Sequence, residues 1–335
     1  WGSIYSTSAS GDTNILGLLP NANFQFTVNT ANSGASTATQ FRLPLISSFN
    51  GITSNVDWGD GSTDVITAFN QAEVTHTYAS SGVYEIKISN ALRSWRFGNS
   101  GDRLKMLNIS NYGIFELNGT ASFQGCSNLT QDATDAPTIT TVNIAETFRA
   151  CTVFNGNIGN WNLSSVTSVL GILQDAIQFN QTLENWDVSN VVNMQNSFKN
   201  TENIFTINTS NWNVSSLSIF AETFRDSFGN PDVSSWNTSA MTNARGAFAF
   251  APNFNRNLAA WNITNITNFV EFARNAAITT ANYDAILIGW SAQVAQVNQN
   301  VHFGSTKFTL GGAAEAARAN LISTYNWTFT DGGGI

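Results

Sequence analysis

Apolar residues recur at a fixed distance through the middle of the chain. Trp161, Trp186, Trp212, Trp236 and Trp261 stand 25, 26, 24 and 25 residues apart. A second column runs in phase with them through Phe123, Phe148, Leu173, Phe198, Phe224, Phe248 and Phe272. Three positions after its members comes a small residue: Cys126, Cys151, Ala176, Thr201, Ser227, Ala251. Several columns sharing one period mark a structural repeat. In one unit the apolar residues are Leu183, Trp186, Val188, Val191 and Met194, at offsets 0, 3, 5, 8 and 11. The Trp-x-Val step has strand-like alternation, and the spacing of about three beyond it suits a chain that turns a corner and returns through irregular or short helical backbone. One such unit cannot close its own core. Stacked units can, so the pattern predicts a parallel sheet with one strand from each unit, about 4.8 Å apart.

The two ends read differently. Residues 56–69 (VDWGDGSTDVITAF) and 74–88 (VTHTYASSGVYEIKI) alternate as strands broken by Gly and Asp turns. Residues 1–21 read as a loose or partner-dependent arm. Leu104, Met106, Leu107, Ile109, Ile114, Phe115 and Leu117 restart a β pattern, read as degenerate first units. Toward the other end, 282–290 (NYDAILIGW) and 313–325 (AAEAARANLISTY) read as helices, with short strands near 301–303 and 327–329. The expected organisation is an arm at 1–21, a β-sandwich at 22–92, a repeat at 93–276 and a cap at 277–335.

The segments FNGNIGNWNLSSVTSV, FNQTLENWDVSNVVNMQNSF, NTSNWNVSSLSIFAETF, NPDVSSWNTSAMTNARGAF and FNRNLAAWNITNITNF resemble the leucine-rich repeats of BspA-like bacterial surface proteins, over roughly 120–275. Leu173 in the Phe column and Thr209 in an Ile/Leu position depart from the pattern. WGDGS followed by HTYASSGVYEIKI resembles a PKD domain, which implies an immunoglobulin-like sandwich serving as spacer or binding module. NYDAILIGWSAQ with NWTFTDGG resembles the cap of many BspA-like arrays. Together these resemblances imply a mainly β fold: an immunoglobulin-like β-sandwich, then a parallel leucine-rich-repeat solenoid with a helical C-terminal cap. They also imply an exported, surface-exposed protein of the kind often linked to adhesion.

Composition narrows the function classes. The 335 residues are 42% hydrophobic and 11% charged, too apolar for a disordered tail. Net charge is -8 and pI about 4.7, so nothing would neutralise a nucleic-acid backbone or an anionic lipid surface. Neither nucleic-acid binding nor membrane insertion is expected, since apolar runs fall short of the roughly 20 residues that span a bilayer. The chain opens at Trp1 without an initiator Met or a leader, which reads as a processed or excised form. Lysine occurs only at Lys87, Lys105, Lys199 and Lys307, and a polar surface with so little charge is expected of an extracellular protein.

Chemistry-bearing residues are sparse. His76 and His302, the only histidines, fall in different predicted domains, which disfavours a His-based triad or a multi-His metal site. Cys126 and Cys151 share a column one unit apart, as a disulfide or as packed thiols, and the small residues elsewhere in the column favour the thiols. Asp57, Asp60 and Asp64 lack EF-hand spacing and read as turn-formers. Glu146 and Glu222 lie in identical AETFR segments, too far apart for a glycosidase pair, with Arg149 and Arg225 as nearby partners. No catalytic residue, metal or cofactor is expected. The candidate binding residues are those after each Trp: Asn162, Asp187, Asn213, Asn237 and Asn262. Alternation would send them to the exposed face of the predicted sheet, as a polar ladder extended by Asn160, Asn185 and Asn211.

The expected function is non-enzymatic recognition or adhesion, with a surface glycan or a protein as partner, at a cell surface or outside the cell. Alternatives are a structural subunit of a virion fibre, capsid decoration or filament, exposed on the virion and docking or self-assembling through 1–21, and a glycan-cleaving enzyme.

Overall fold

Phe24, Phe26 and Val28 alternate with Gln25, Thr27 and Asn29, and this alternation makes Phe24–Asn29 a strand (β1) with one fully buried face. A computed structural model describes residues 22–201 and 208–335, so the arm expected at 1–21 lies outside the described residues. After β1 come β2 (Gln40–Arg42), β3 (Ser54–Asp57), β4 (Thr63–Ile66), β5 (Thr75–Thr77), β6 (Val83–Ser89), β7 (Met106–Asn111), β8 (Glu116–Leu117), β9 (Thr130–Gln131) and β10 (Thr138–Ile139). One sheet runs β4-β3-β6-β1-β7-β9. It is antiparallel except at its last pair, where Asn108 and Ile109 face Thr130 and Gln131 in parallel. β2 and β5 form a separate two-stranded ribbon, and β8 pairs with β10 in parallel. Trp95 stands edge-on to Phe24 at 5.5 Å and Phe26 at 5.4 Å, and its core runs without a break into the repeat.

The repeating units do stack, and indoles hold the stack. Trp186 and Trp212 are parallel at 6.3 Å between ring centroids, and Trp212 and Trp236 at 6.2 Å. Each indole N–H donates to a carbonyl of the unit before it: Trp186 to Ile158 at 2.8 Å, Trp212 to Leu183 at 3.1 Å, Trp236 to Thr209 at 3.0 Å and Trp261 to Val233 at 2.8 Å. The acceptor always lies three residues before the preceding Trp. A buried indole therefore fills the core and satisfies its polar edge with one bond that also sets register.

The architecture read from the sequence is nonetheless not the one that forms. Instead of an immunoglobulin-like sandwich there is one six-stranded mixed sheet with a two-stranded ribbon. No strand forms at the Trp-x-Val segments, and the parallel leucine-rich-repeat solenoid is not shown. Consecutive units pair in strand fashion only at isolated parallel bridges, Asn143 to Ser168, Ser168 to Asn193, Asn193 to Ile219, Ile219 to Asn243 and Asn243 to Asn268. The physical reason is local. Two tight turns bracket each Trp-x-Val step, as where Trp186 N–H donates to Leu183 and Val191 N–H to Val188, at 3.1 and 2.9 Å. Farther along each unit, alternate N–H groups do reach the next unit, as from Glu146, Phe148 and Ala150 to Leu170, Ile172 and Gln174. But the backbone there visits the left-handed region at Glu146 (φ 58°) and Ala150 (φ 59°), and again at Gly171 and Asp175, which breaks the extended conformation a sheet needs.

The helices expected near 282–290 and 313–325 are α1 (Thr280–Ser291) and α2 (Ala313–Tyr325). Between and after them β11 (Asn300–His302) and β12 (Thr328–Thr330) pair in parallel. α1 lies directly on the last unit. A Cβ at Gly289 would stand 2.4 Å from the Ala259 carbonyl oxygen, so only glycine permits this approach. Trp290 then donates to Leu258 at 3.0 Å and carries the indole row into the helix.

Candidate functional site

Asparagine is abundant because it builds the corners. The side-chain oxygen of Asn162 accepts the N–H of Ser164 at 3.1 Å. Asp187, Asn213, Asn237 and Asn262 accept those of Ser189, Ser215, Ser239 and Thr264 at 3.0–3.2 Å. A second corner is closed the same way in four units, by Asn157, Asn208, Asp232 and Asn257, and a third in four, by Asn143, Asn193, Asn243 and Asn268. These are Asx turns, in which a short side chain offers the backbone an alternative to a sheet ladder.

The candidate residues are therefore turn-formers at a corner, not members of a sheet face. Asn162, Asp187, Asn213 and Asn237 are exposed and Asn262 is half-buried. Their oxygens are engaged, whereas the amide NH₂ groups of Asn162, Asn213, Asn237 and Asn262 have no acceptor among the described residues and point a row of donors outward. Asp187 interrupts the row with an acceptor, its carboxyl held below the ordinary aspartate range by the Ser189 hydroxyl and N–H.

At one end the row borders a recess of about 370 Å³, within the range of small-ligand sites. Asn157, Asn160, Asn162 and Asn185 line it with Thr182, Gly159 and Trp161, and no charged side chain does. A Cβ on Gly159 would meet the Thr182 carbonyl at 2.7 Å, so glycine is what lets the two units close here. Asn160 spends its NH₂ on the Thr134 carbonyl at 3.2 Å, while Asn185 makes no hydrogen bond to the described protein. Trp161 begins the indole row, and its Nε1 is buried without a partner among the described residues. Of the residues singled out in the sequence, the recess brings together Asn160, Asn162 and Asn185. Asp187, Asn211, Asn213, Asn237 and Asn262 lie outside it.

The other chemistry-bearing groups have structural partners. Ser62, His76 and Asp60 meet, but His76 uses the same Nε2 toward Asp60 (2.9 Å) and Ser62 (3.3 Å), whereas a triad needs opposite ring nitrogens. The His76 ring stacks on Trp58 at 4.7 Å. Burial raises the Asp60 carboxyl, but hydrogen bonds from Ser62 and His76 outweigh it and bring it down to about 2. Asp57 and Asp64 accept from Gly59 N–H and the Trp58 indole. His302 accepts the Gly304 N–H through Nδ1, and burial, helped by Arg274, holds its imidazole below the ordinary range. Cys126 and Cys151 are buried free thiols, both pushed up by burial.

Glu146 pairs with Arg149, as expected. Glu222 pairs with Lys199 at 2.7 Å and with Arg245, while Arg225 turns instead to Glu271 at 3.0 Å. Burial opposes ionisation of Glu222, yet its cationic neighbours hold it below the ordinary glutamate range, and hydrogen bonds from Arg225 and Arg274 do the same for Glu271. Carboxylates kept ionised in this way are poor proton donors.

Sequence reasoning missed the best-buried ionic group. Lys105 is fully buried and donates to the carbonyls of Ser36, Thr37 and Gln40 at 3.2, 2.7 and 2.7 Å. Asp102, 3.9 Å away, accepts from Ser36 and from Arg42 N–H. The D-x-x-K spacing was the only available signal, and it is too common to stand out.

Among known families, the DUF285 model, described as a Mycoplasma protein of unknown function, matches residues 118–229 and 197–309, more than half of the chain. The chain belongs to this family. No curated protein and no solved structure matches it. The DUF285 match covers the segments that resemble BspA-like repeats and is consistent with such a repeat protein. It does not reach 22–92, and the PKD-like resemblance gains nothing from it. Among the described residues, no helix is long and apolar enough to cross a membrane.

Proposed function

We propose that this DUF285 protein is a non-enzymatic recognition protein, acting at the outside of a cell or particle, that binds a neutral glycan along its amide-lined corner. The observation that carries the reading is the uncharged recess at Asn157–Asn162 and Thr182–Asn185, continued by the row of outward amide donors. Hydroxyl-rich sugars are recognised by placed hydrogen-bonding groups that need carry no net charge. A repeated corner offers the same donor at each unit, which suits a polymeric ligand.

Asn185 is the informative position, because it closes no turn. On a panel of immobilised neutral polysaccharides, Asn185→Ala is expected to weaken binding about threefold to tenfold, the worth of one hydrogen bond. Asn185→Trp, which fills the recess, is expected to abolish it. Undiminished binding by folded Asn185→Trp would reject the reading.

A further inference from the structure

Cations in this chain divide sharply by place. Arg149, Lys199, Arg225, Arg245, Arg256, Arg274 and Arg318 each have a carboxylate oxygen within 4.0 Å, as do Lys87 and Lys105. Arg42, Arg93, Arg96 and Arg103 have none among the described residues, and beyond them only Lys307 is likewise unpaired. Four arginines without a carboxylate partner within about sixty residues leave this part of an acidic chain locally positive.

Two of the four flank one groove. Arg42 and Arg96, both exposed, line a recess of about 160 Å³ with Pro44, Phe97, Ser100 and Asp102. The two walls are held together by Arg96 N–H donating to the Pro44 carbonyl at 2.8 Å. Asp102 does not neutralise the guanidinium groups. Its oxygens are taken by the Ser36 N–H and hydroxyl and by the Arg42 backbone N–H, and its charge is balanced by buried Lys105. The groove therefore presents two uncompensated positive charges over a partly apolar floor.

We propose that the groove between Arg42 and Arg96 binds the acidic group, a carboxylate or a sulfate ester, of an acidic polysaccharide. Guanidinium forks match both oxyanions bidentately. The volume holds the acidic group of a larger ligand and not a drug-sized molecule whole. Charge density selects among polyanions. A chain of net charge -8 repels a nucleic acid, with a charge every 1.7 Å or so, far more than a polysaccharide whose acidic groups are spaced by whole sugar rings. This site is separate from the neutral recess at Asn157–Asn185, and the two readings fail independently.

The test measures binding of the full chain to κ-carrageenan, which carries sulfate esters and no carboxylate, and to polygalacturonate, polyglutamate and uncharged dextran at 50 and 200 mM NaCl. κ-Carrageenan, polygalacturonate or both are expected to bind, more weakly at the higher salt, and the responding arm assigns sulfate or carboxylate. Arg42→Gln/Arg96→Gln is expected to lose at least about tenfold in affinity, while Arg256→Gln, which removes a paired arginine, keeps wild-type affinity. The proposal is overturned by failure of both acidic polysaccharides to bind, by equal binding of the double variant, or by tighter binding of polyglutamate than of either.

Discussion

The sheet at residues 24–131 and the stacked units beyond it solve the same problem by opposite means. In the sheet, β1 is bonded on both sides by strands distant in sequence, and Lys105 ties residues 36–40 to 102–105 from inside. In the units, the Asx corners close on a side chain two residues away, and an indole bond about 28 residues long joins each unit to the last beside repeated backbone bonds. The sheet depends on single contacts with no copy elsewhere, and the stack on modest contacts repeated. Charge follows the same division: described cations of the repeat are paired, and the unpaired arginines sit by the sheet.

Substitution can break this contrast. Trp212→Ala removes a ring stacked on both neighbours and is expected to cost about 4 kcal/mol in urea unfolding, against about 1–2 kcal/mol for Trp212→Phe, which mainly loses the bond to Leu183. A loss below about 1 kcal/mol for the alanine variant would show that the row does not hold the stack. In the sheet, Lys105→Met leaves buried carbonyls and Asp102 without their cation, with an expected cost of about 3 kcal/mol by the same measurement. Were the variant as stable as wild type, the interior tie would be dispensable.

Smaller effects sharpen the comparison at its margins. Gly289→Ala forces α1 off the Ala259 carbonyl and should cost about 1–3 kcal/mol, read as a lowered urea midpoint. Asn213→Ala opens one corner for about 1 kcal/mol, while Asn213→Asp keeps the acceptor, as Asp187 does naturally, and should unfold like wild type. The smallest effect is in acid. Because the folded Asp60 carboxyl lies near 2 against an ordinary 3.8, the unfolded chain takes up its proton first as pH falls. Its contribution is complete above about pH 4 and drains away toward pH 2. Asp60→Asn should flatten that part of the stability profile, and an unchanged slope would remove Asp60 as its source.

Much of this molecule was legible in order along the chain. The 25-residue period, the stacking of the Trp column and the two terminal helices follow from residues that repeat or alternate locally, and such patterns survive whatever the rest of the chain does. The same local information misled at the Trp-x-Val step. Alternation of two apolar residues predicts a strand, but the Asn between them closes a turn, and only the competition between side-chain and ladder hydrogen bonds decides which forms. The candidate column is accordingly exposed at Asn162, Asp187, Asn213 and Asn237, through a corner turn and not through a sheet face. What tertiary structure alone decided are the meetings across long separations: Trp290 of a helix taking the next place in the indole row, Lys105 reaching Gln40, and Arg42 facing Arg96 across one groove. No periodicity announces these, because each pairs residues once, and its partner is chosen by packing and not by spacing.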